Sequence, residues 1–292
     1  MKKVLHEEFL GDLMGKITNV GFQKGGVNKT TITILLGLYA VEQGDKVLII
    51  DGDAQVDVSR IMGMPSDYNG PSSDLLFQKA PDEFKQIWSS NSKPLLPVSG
   101  WGCRLPSGVD DIGSVMHLVP ANAGAMANIN DSKNSAFISN FKQNLAFLSQ
   151  FYDHIFIDTP PQLGLVQYAS VCACTGSVMP LIADYDVCGP EKVKKYFQLY
   201  NSAKKIHNPK LGIPVVVLSS VDARGKLVNQ YVKWARESFG KNMTEKYIEY
   251  SQSVNNAKNE RRAAWFRPSS GNDRTKGAAI RRVVADIYSR LR

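Results

Sequence analysis

The chain has 292 residues, 43% of them hydrophobic and 21% charged, the balance of a globular protein that can bury a sizeable core rather than of a disordered segment. No apolar run approaches the ~18 residues of a membrane span, and residues 1–13 lack the continuous apolar stretch of a secretory signal. The net charge of +8 favours a polyanionic partner surface, either nucleic acid or anionic lipid.

In chain order, residues 1–15 read as an extension, with Leu5, Phe9, Leu10 and Leu13 on one stripe that suits core packing or a partner protein. Residues 16–22 form a short buried strand that runs into a glycine-rich turn. Residues 30–43 carry Ile34, Leu35, Leu38 and Val41 at helical spacing, and Gly44-Asp45 ends that helix. Residues 46–51 are apolar without alternation, as in a parallel strand covered on both faces. The pattern weakens over 64–115, where short helices are expected near 72–77 and 82–89. A strand follows at 117–120, an amphipathic helix at 136–151, and a strand at 154–158 that ends in Thr159-Pro-Pro161. Strands at 176–182 and 213–220, with a last candidate at 246–250, enclose helices at 190–206 and 227–239. This alternation predicts an α/β fold with a doubly wound, mainly parallel sheet and helices on both faces, one domain over 16–292. Cys103, Cys172, Cys174 and Cys188 have no CxxC spacing and read as buried free thiols rather than a zinc site or disulfides.

The turn after the first strand carries the chemistry. A strand, a glycine-rich turn and a helix N-terminus make an anion site, because the first helical N–H groups lack internal partners. Gly25 and Gly26 permit close approach of the backbone, Lys29 is placed for the β- and γ-phosphates, and the Thr30 hydroxyl for Mg²⁺. In the pattern GxxxxGK[ST], Gln23 and Asn28 occupy the two glycine positions. Asn tolerates positive φ better than most residues, so the loop can still close.

The segment Lys24-Gly-Gly-Val-Asn-Lys-Thr-Thr31 resembles the deviant Walker A box, KGGxxK[ST], of the ParA/MinD ATPases, and most of all that of the ParA-type partition proteins. Three further segments agree in type and order. Val47-Leu-Ile-Ile-Asp-Gly-Asp-Ala-Gln55 resembles the family's VLLIDxDPQ strand, Leu118-Val-Pro-Ala-Asn122 its IPAN segment, and Phe156-Ile-Asp-Thr-Pro-Pro161 its Walker B. Met14-Gly-Lys-Ile17 resembles a family N-terminus, so Met14 is a candidate start.

The resemblance implies a P-loop NTPase that uses ATP and Mg²⁺, with Lys24, Gly25, Gly26, Val27, Asn28, Lys29, Thr30 and Thr31 around the nucleotide. Lys24 would reach the partner subunit's nucleotide across an ATP-dependent homodimer, Thr30 and Asp158 would hold Mg²⁺, and Asp53 would place the attacking water. Positive charge on the phosphates and a placed nucleophile are what phosphoryl transfer needs. Asp51 and Asp53, two residues apart at a strand end, are both expected at the crevice where α/β sheets bind ligands. The departures are Ala54, where proline is usual, and Asn28, which puts a side chain beside the γ-phosphate and bears on turnover rather than binding. Residues 219–224 match the position of the family's loop near the adenine.

From Arg261 to the C-terminus there are nine Arg or Lys against two Asp. Arg261, Arg262, Arg267, Arg274, Lys276, Arg281 and Arg282 are the candidate DNA contacts, non-specific because no sequence-reading motif is evident. Ile280, Val283, Val284, Ile287, Tyr288 and Leu291 form an apolar stripe. It suits a membrane-surface helix or a terminal helix docked on the core, and docking is the favoured reading. Arg281 and Arg282 lie off the stripe and are expected to be exposed. Lys192, Lys194, Lys195, Lys204 and Lys205 read as a solvated face.

The leading functional reading is a ParA-like ATPase in the cytoplasm, on the nucleoid. It dimerises on ATP, binds DNA non-specifically, answers to a ParB-like partner protein and positions DNA or another cargo, without stable membrane insertion. A MinD-like membrane-surface ATPase is the alternative. An iron–sulfur reductase of the nitrogenase iron-protein type would need cluster cysteines at defined loop positions, and a non-catalytic nucleotide-gated module is a fourth reading.

Overall fold

A computed structural model describes residues 14–90, 93–222 and 224–292; the Leu5, Phe9, Leu10 and Leu13 stripe lies outside the described residues. The strands are β1 (Lys16–Val20), β2 (Val47–Asp51), β3 (Leu96–Pro97), β4 (Met116–Val119), β5 (His154–Asp158), β6 (Gly176–Leu181) and β7 (Val215–Leu218). The helices are α1 (Lys29–Glu42), α2 (Asp57–Ile61), α3 (Leu75–Gln78), α4 (Pro81–Trp88), α5 (Ala123–Asn130), α6 (Ala136–Leu148), α7 (Leu165–Ala173), α8 (Tyr185–Cys188), α9 (Pro190–His207), α10 (Lys226–Phe239), α11 (Gln252–Asn259) and α12 (Gly271–Leu291).

The seven strands form one sheet in the order β3-β4-β2-β5-β1-β6-β7. All neighbours are parallel except β3, which runs antiparallel to β4. Side chains alternate across a strand, so an apolar run feeds two cores. Leu48, Ile50, Ile155 and Ile157 face a layer built on α6, α7, α9 and α10. Val47, Ile49 and Phe156 face α1 and α12.

The doubly wound, mainly parallel sheet is therefore as expected, and the strand positions agree within a few residues. Several elements differ. Residues 246–250 meet the end of β7 through an isolated bridge between Glu249 and Val221 and a bond from Ile248 N–H to Leu218 O at 2.8 Å, and they form no strand. The weakly patterned stretch supplies β3, whose Pro97 lacks a donor and suits an edge. The helices α5, α7 and α11 carried no strong periodic signal. Cys172 lies in α7 and Cys174 just beyond it; all four cysteines are buried and free.

The C-terminal helix α12 is docked. Ile280, Val283, Val284, Ile287, Tyr288 and Leu291 are all buried, and Tyr39 of α1 meets the Tyr288 ring edge-on, with centroids 5.3 Å apart. Polar contacts fix the rotation of the helix. The Tyr288 hydroxyl donates to Asp45, and Arg281 pairs with Glu42 at 3.2 Å. Glu42 lies in the last turn of α1, where its side chain is only 3% exposed. It also accepts from Trp265 Nε1 at 2.8 Å and from the Arg104 N–H at 3.2 Å.

Ile287→Ala should lower stability by about 2–5 kcal/mol, the range for truncating a buried aliphatic side chain, read as a shift in the urea midpoint. Arg282→Ala, exposed on the same helix, should stay within about 0.5 kcal/mol. A small loss at Ile287 would mean that α12 does not pack on α1 in solution.

Candidate active site

The site is assembled at the C-terminal ends of β1, β2 and β5. Between β1 and α1 the chain turns through two left-handed residues, Gly26 at φ 75° and Asn28 at φ 65°. Asn28 is thus a non-glycine residue at a glycine position, in the conformation that Asn tolerates. The first helical bond runs from Ile32 N–H to Asn28 O at 2.9 Å. The N–H groups of Lys29, Thr30 and Thr31 come before it and have no acceptor within the helix.

Lys29 is only 7% exposed, and its ammonium donates to the Lys24 carbonyl at 2.8 Å. Burial lowers its pKa, opposed by the Asp158 and Asp53 carboxylates. The Thr30 hydroxyl donates to Asp158 Oδ2 at 2.7 Å. Asp158 is 1% exposed, and its Oδ1 has no protein partner. Burial, reinforced by Asp51, pushes its carboxyl up to about 8.

The structure separates the two aspartates of β2. Asp51 is wholly buried, and its Oδ2 accepts from the Ser59 N–H at 2.9 Å and hydroxyl at 2.6 Å, while Oδ1 accepts from the Asp53 N–H at 3.1 Å. It is a structural group, pushed by burial to about 6, and the expectation that it borders the crevice is corrected. Asp53 lies near enough to Lys29 for the two charges to interact, and it also lines a neighbouring cavity of about 350 Å³ with Met126, Asn130 and Gln162, which the phosphate-loop residues do not line. Its carboxylate accepts from the Gln55 N–H at 3.0 Å. Burial raises its pKa, opposed by that bond and by Lys29. Gly52, between the two, is required: a Cβ there would lie 2.7 Å from the Asp158 carbonyl.

Lys24 is half-buried, and its side chain has no hydrogen-bond or ion-pair partner among the described residues. Gly25 is exposed and Val27 buried. The Asn28 side chain, expected beside the γ-phosphate, turns instead to Ser219 and Ser220, with Nδ2 at 3.1 and 2.8 Å from their hydroxyls.

Three supporting residues escaped the sequence reading. Ser59 holds Asp51 and also accepts from the Ala121 N–H at 3.0 Å, which ties the Leu118–Asn122 segment to the site. Gln167 of α7 donates from Nε2 to the carbonyls of Phe22 at 3.0 Å and Pro160 at 2.6 Å, clamping the exits of β1 and β5. Its one signal was a buried amide within the apolar run of α7. Lys258 of α11 reaches to 3.4 Å from the Thr31 hydroxyl, a contact across 227 residues with no local signal.

These residues fit a magnesium-bound nucleotide triphosphate. The unpartnered Asp158 Oδ1 beside the Thr30 hydroxyl offers hard oxygen donors suited to Mg²⁺. The helix N-terminus and Lys29 offer positive charge to phosphates. A family model described as AAA domain matches residues 15–213. The chain belongs to that family. Within it the chain is of the ParA/MinD group and of ParA type. It is 26% identical over 250 residues to the sporulation initiation inhibitor protein Soj of Bacillus subtilis (strain 168), covering 84% of this chain and 90% of that protein. It is 28% identical over 227 residues to the chromosome-partitioning ATPase Soj of Treponema pallidum (strain Nichols), covering 78% and 80%. The fold also resembles a putative plasmid partition protein of Borrelia burgdorferi B31 solved with AMPPNP, with a TM-score of 0.63 at 17% identity over 95% of this chain and 99% of that one.

The basic C-terminal residues of this ParA-type chain divide into two groups. Arg262 is buried, with Nε on Glu260 at 2.6 Å, and Arg281 is bound to Glu42 and lies over the Tyr39 ring at 5.1 Å. Arg281 keeps 39% of its side chain exposed, as expected, but its guanidinium is tied to Glu42. Lys276 is paired with Glu249. Arg261, Arg267, Arg274 and Arg282 are exposed.

The Asp158 shift sets a pH dependence. An unfolded aspartate titrates near ~3.9, so the folded, metal-free chain holds an extra proton between about pH 4 and pH 8 at this group. Its contribution to stability therefore falls as pH rises through that window. Asp158→Asn in EDTA should melt above the wild type at pH 8.5, and most of the difference should vanish at pH 5. An equal difference at both pH values would place the buried ionisation elsewhere.

Proposed function

We propose that the chain binds ATP with Mg²⁺, closes on it as a homodimer and hydrolyses it slowly. In the dimeric state it binds DNA without reading sequence, on the nucleoid in the cytoplasm, and a ParB-like partner protein stimulates hydrolysis and release. The cargo so positioned is plasmid or chromosomal DNA or another large body. The observation that carries the reading is the joining of Lys29, Thr30 and Asp158 in one buried cluster, with Asp53 across the crevice.

Each residue has a task set by its surroundings. Thr30 and Asp158 would hold Mg²⁺, which supplies charge neutralisation at the phosphate oxygens. Lys29 exchanges the Lys24 carbonyl for phosphate oxygens, and its desolvated ammonium attracts them more strongly than a solvated one would. Asp53 accepts a hydrogen bond from the attacking water and orients it. Lys24 has no partner within its own chain among the described residues, which leaves it available to the nucleotide of the other subunit.

The membrane-surface alternative drew on the apolar stripe of α12, and that stripe faces the core. Among the described residues no helix is long and apolar enough to cross a membrane.

In calorimetry, Lys29→Ala should lose ATP binding. Lys24→Ala should retain it yet lose both hydrolysis and the ATP-dependent dimer seen by light scattering. A dimer of equal strength in every nucleotide state would count against the model.

Arg267→Glu with Arg282→Glu should weaken DNA binding while leaving DNA-free hydrolysis nearly intact. Arg281→Glu should instead destabilise the fold, because it places a second carboxylate beside Glu42. For the wild type, anisotropy on two unrelated duplexes should give equal affinities. These should fall roughly 10³-fold between 50 and 200 mM salt if ~6 phosphates are contacted. Binding indifferent to nucleotide and salt would reject DNA as the surface.

A further inference from the structure

The phosphate loop carries a side chain where the GxxxxGK[ST] pattern has glycine, and the nitrogen of that side chain's amide is engaged. Asn28 is the N-cap of α1 but makes no capping bond to the helix. Its amide donates to Ser219 Oγ at 3.1 Å and to Ser220 Oγ at 2.8 Å, across 191 and 192 residues. Ser219 is buried, and its hydroxyl donates to the Val27 carbonyl at 3.1 Å, so the two loops hold each other from both sides. Ser220 is exposed and itself left-handed, at φ 52°. A strained conformation persists only where the surroundings impose it, and the Asn28 amide is one such restraint.

The sheet order places the second loop on the side of β1 away from Asp158 and Asp53. Relative to β1, the strands β5 and β2 lie on one side and β6 and β7 on the other. Asp158 and Asp53, the metal and water residues, end β5 and follow β2. The γ-phosphate end of a nucleotide cradled at the N-terminus of α1 therefore points towards β5 and β2. Its ribose and base extend the other way, over the ends of β6 and β7, where residues 219–222 leave the sheet. A glycine at position 28 could fasten nothing to that loop.

We propose that Asn28 is a specificity-determining positioning residue: its amide fastens the loop after β7 to the phosphate loop, so that the wall facing the nucleotide base is set in place from the phosphate site. This rests on the reading of the site as nucleotide-binding. Ordering of the base wall before binding lowers the entropy cost of base recognition, and the phosphates alone gain nothing from it.

The test compares Mg²⁺–ADP with Mg²⁺–tripolyphosphate, a ligand with phosphates and no base, by calorimetry. Asn28→Gly keeps the left-handed turn accessible, and Ser220→Ala removes the acceptor at an exposed position without touching the phosphate loop. Each should weaken ADP about tenfold, the size of one to two ordinary hydrogen bonds, and Ser220→Ala, which lies outside the phosphate loop, should leave tripolyphosphate within about twofold. The double variant should be little worse than Asn28→Gly alone, since that change already removes both bonds, whereas Ser220→Ala leaves the one to Ser219. Equal losses for ADP and tripolyphosphate, or an unchanged ADP affinity, would overturn the proposal. Lys29→Ala separates the two levels of inference. If it leaves both ligands bound as before, the nucleotide-site reading fails; if it abolishes both while Asn28→Gly and Ser220→Ala change neither, only the positioning role fails.

Discussion

Burial of charge at the ends of three parallel strands is the constraint on which the rest of the structure depends. Asp51, Asp158 and Lys29 all lie below 10% exposure, with Asp53 at the rim. Attraction alone cannot keep such a group ionised in a dry interior. The protein uses different means for each member. Asp51 receives three hydrogen bonds and becomes part of the frame. Lys29 rests on a backbone carbonyl. Asp158 has one protein partner and one unused oxygen, so it is the member of the cluster whose ionic state a bound cation would change most.

The same economy of buried charge governs the opposite end of α1. Glu42 is nearly inaccessible and gathers Arg281, Trp265 and the Arg104 N–H. Three segments distant in sequence thereby meet at one carboxylate, and α12 is held in the rotation that seats its apolar stripe. A basic C-terminal segment is thus partly an internal structure. Its outward charge comes from fewer residues than its composition suggests.

Much of this was legible in the sequence, for reasons that can be named. The apolar runs at β2 and β5 had to be covered on both faces, and the spacing of Lys24, Lys29 and Thr30 to the strand before them defined the phosphate cradle. The positive φ of Asn28 followed from its place in a glycine pattern. What stayed hidden depends on partners far along the chain. Nothing local shows that Asp51 belongs to Ser59, that Gln167 ties two strand exits together, or that Arg262 and Arg281 face carboxylates. The Asn28 amide is a sharper case, because a sequence pattern can mark the departure from glycine but not the direction in which the new side chain points. The short helices α5 and α11 are rich in Asn, Ala and Gly or Ser, and their boundaries come from packing rather than periodicity.

The docking of α12 also bears on where this chain can be divided. The family match ends at residue 213, two residues before β7 begins. That point is where the family model ends and not where similarity ends, and it runs through the middle of the folded unit. A fragment ending there would leave β6 as a bare sheet edge and uncover Tyr39 on α1, whose ring packs on Trp265 and Tyr288. The segment beyond the family model therefore covers the core beneath the part that the model matches. Substitutions in that segment can reach the phosphate loop by two routes, through the packing of α12 on α1 and through the direct contacts of Ser219, Ser220 and Lys258 with Asn28 and Thr31.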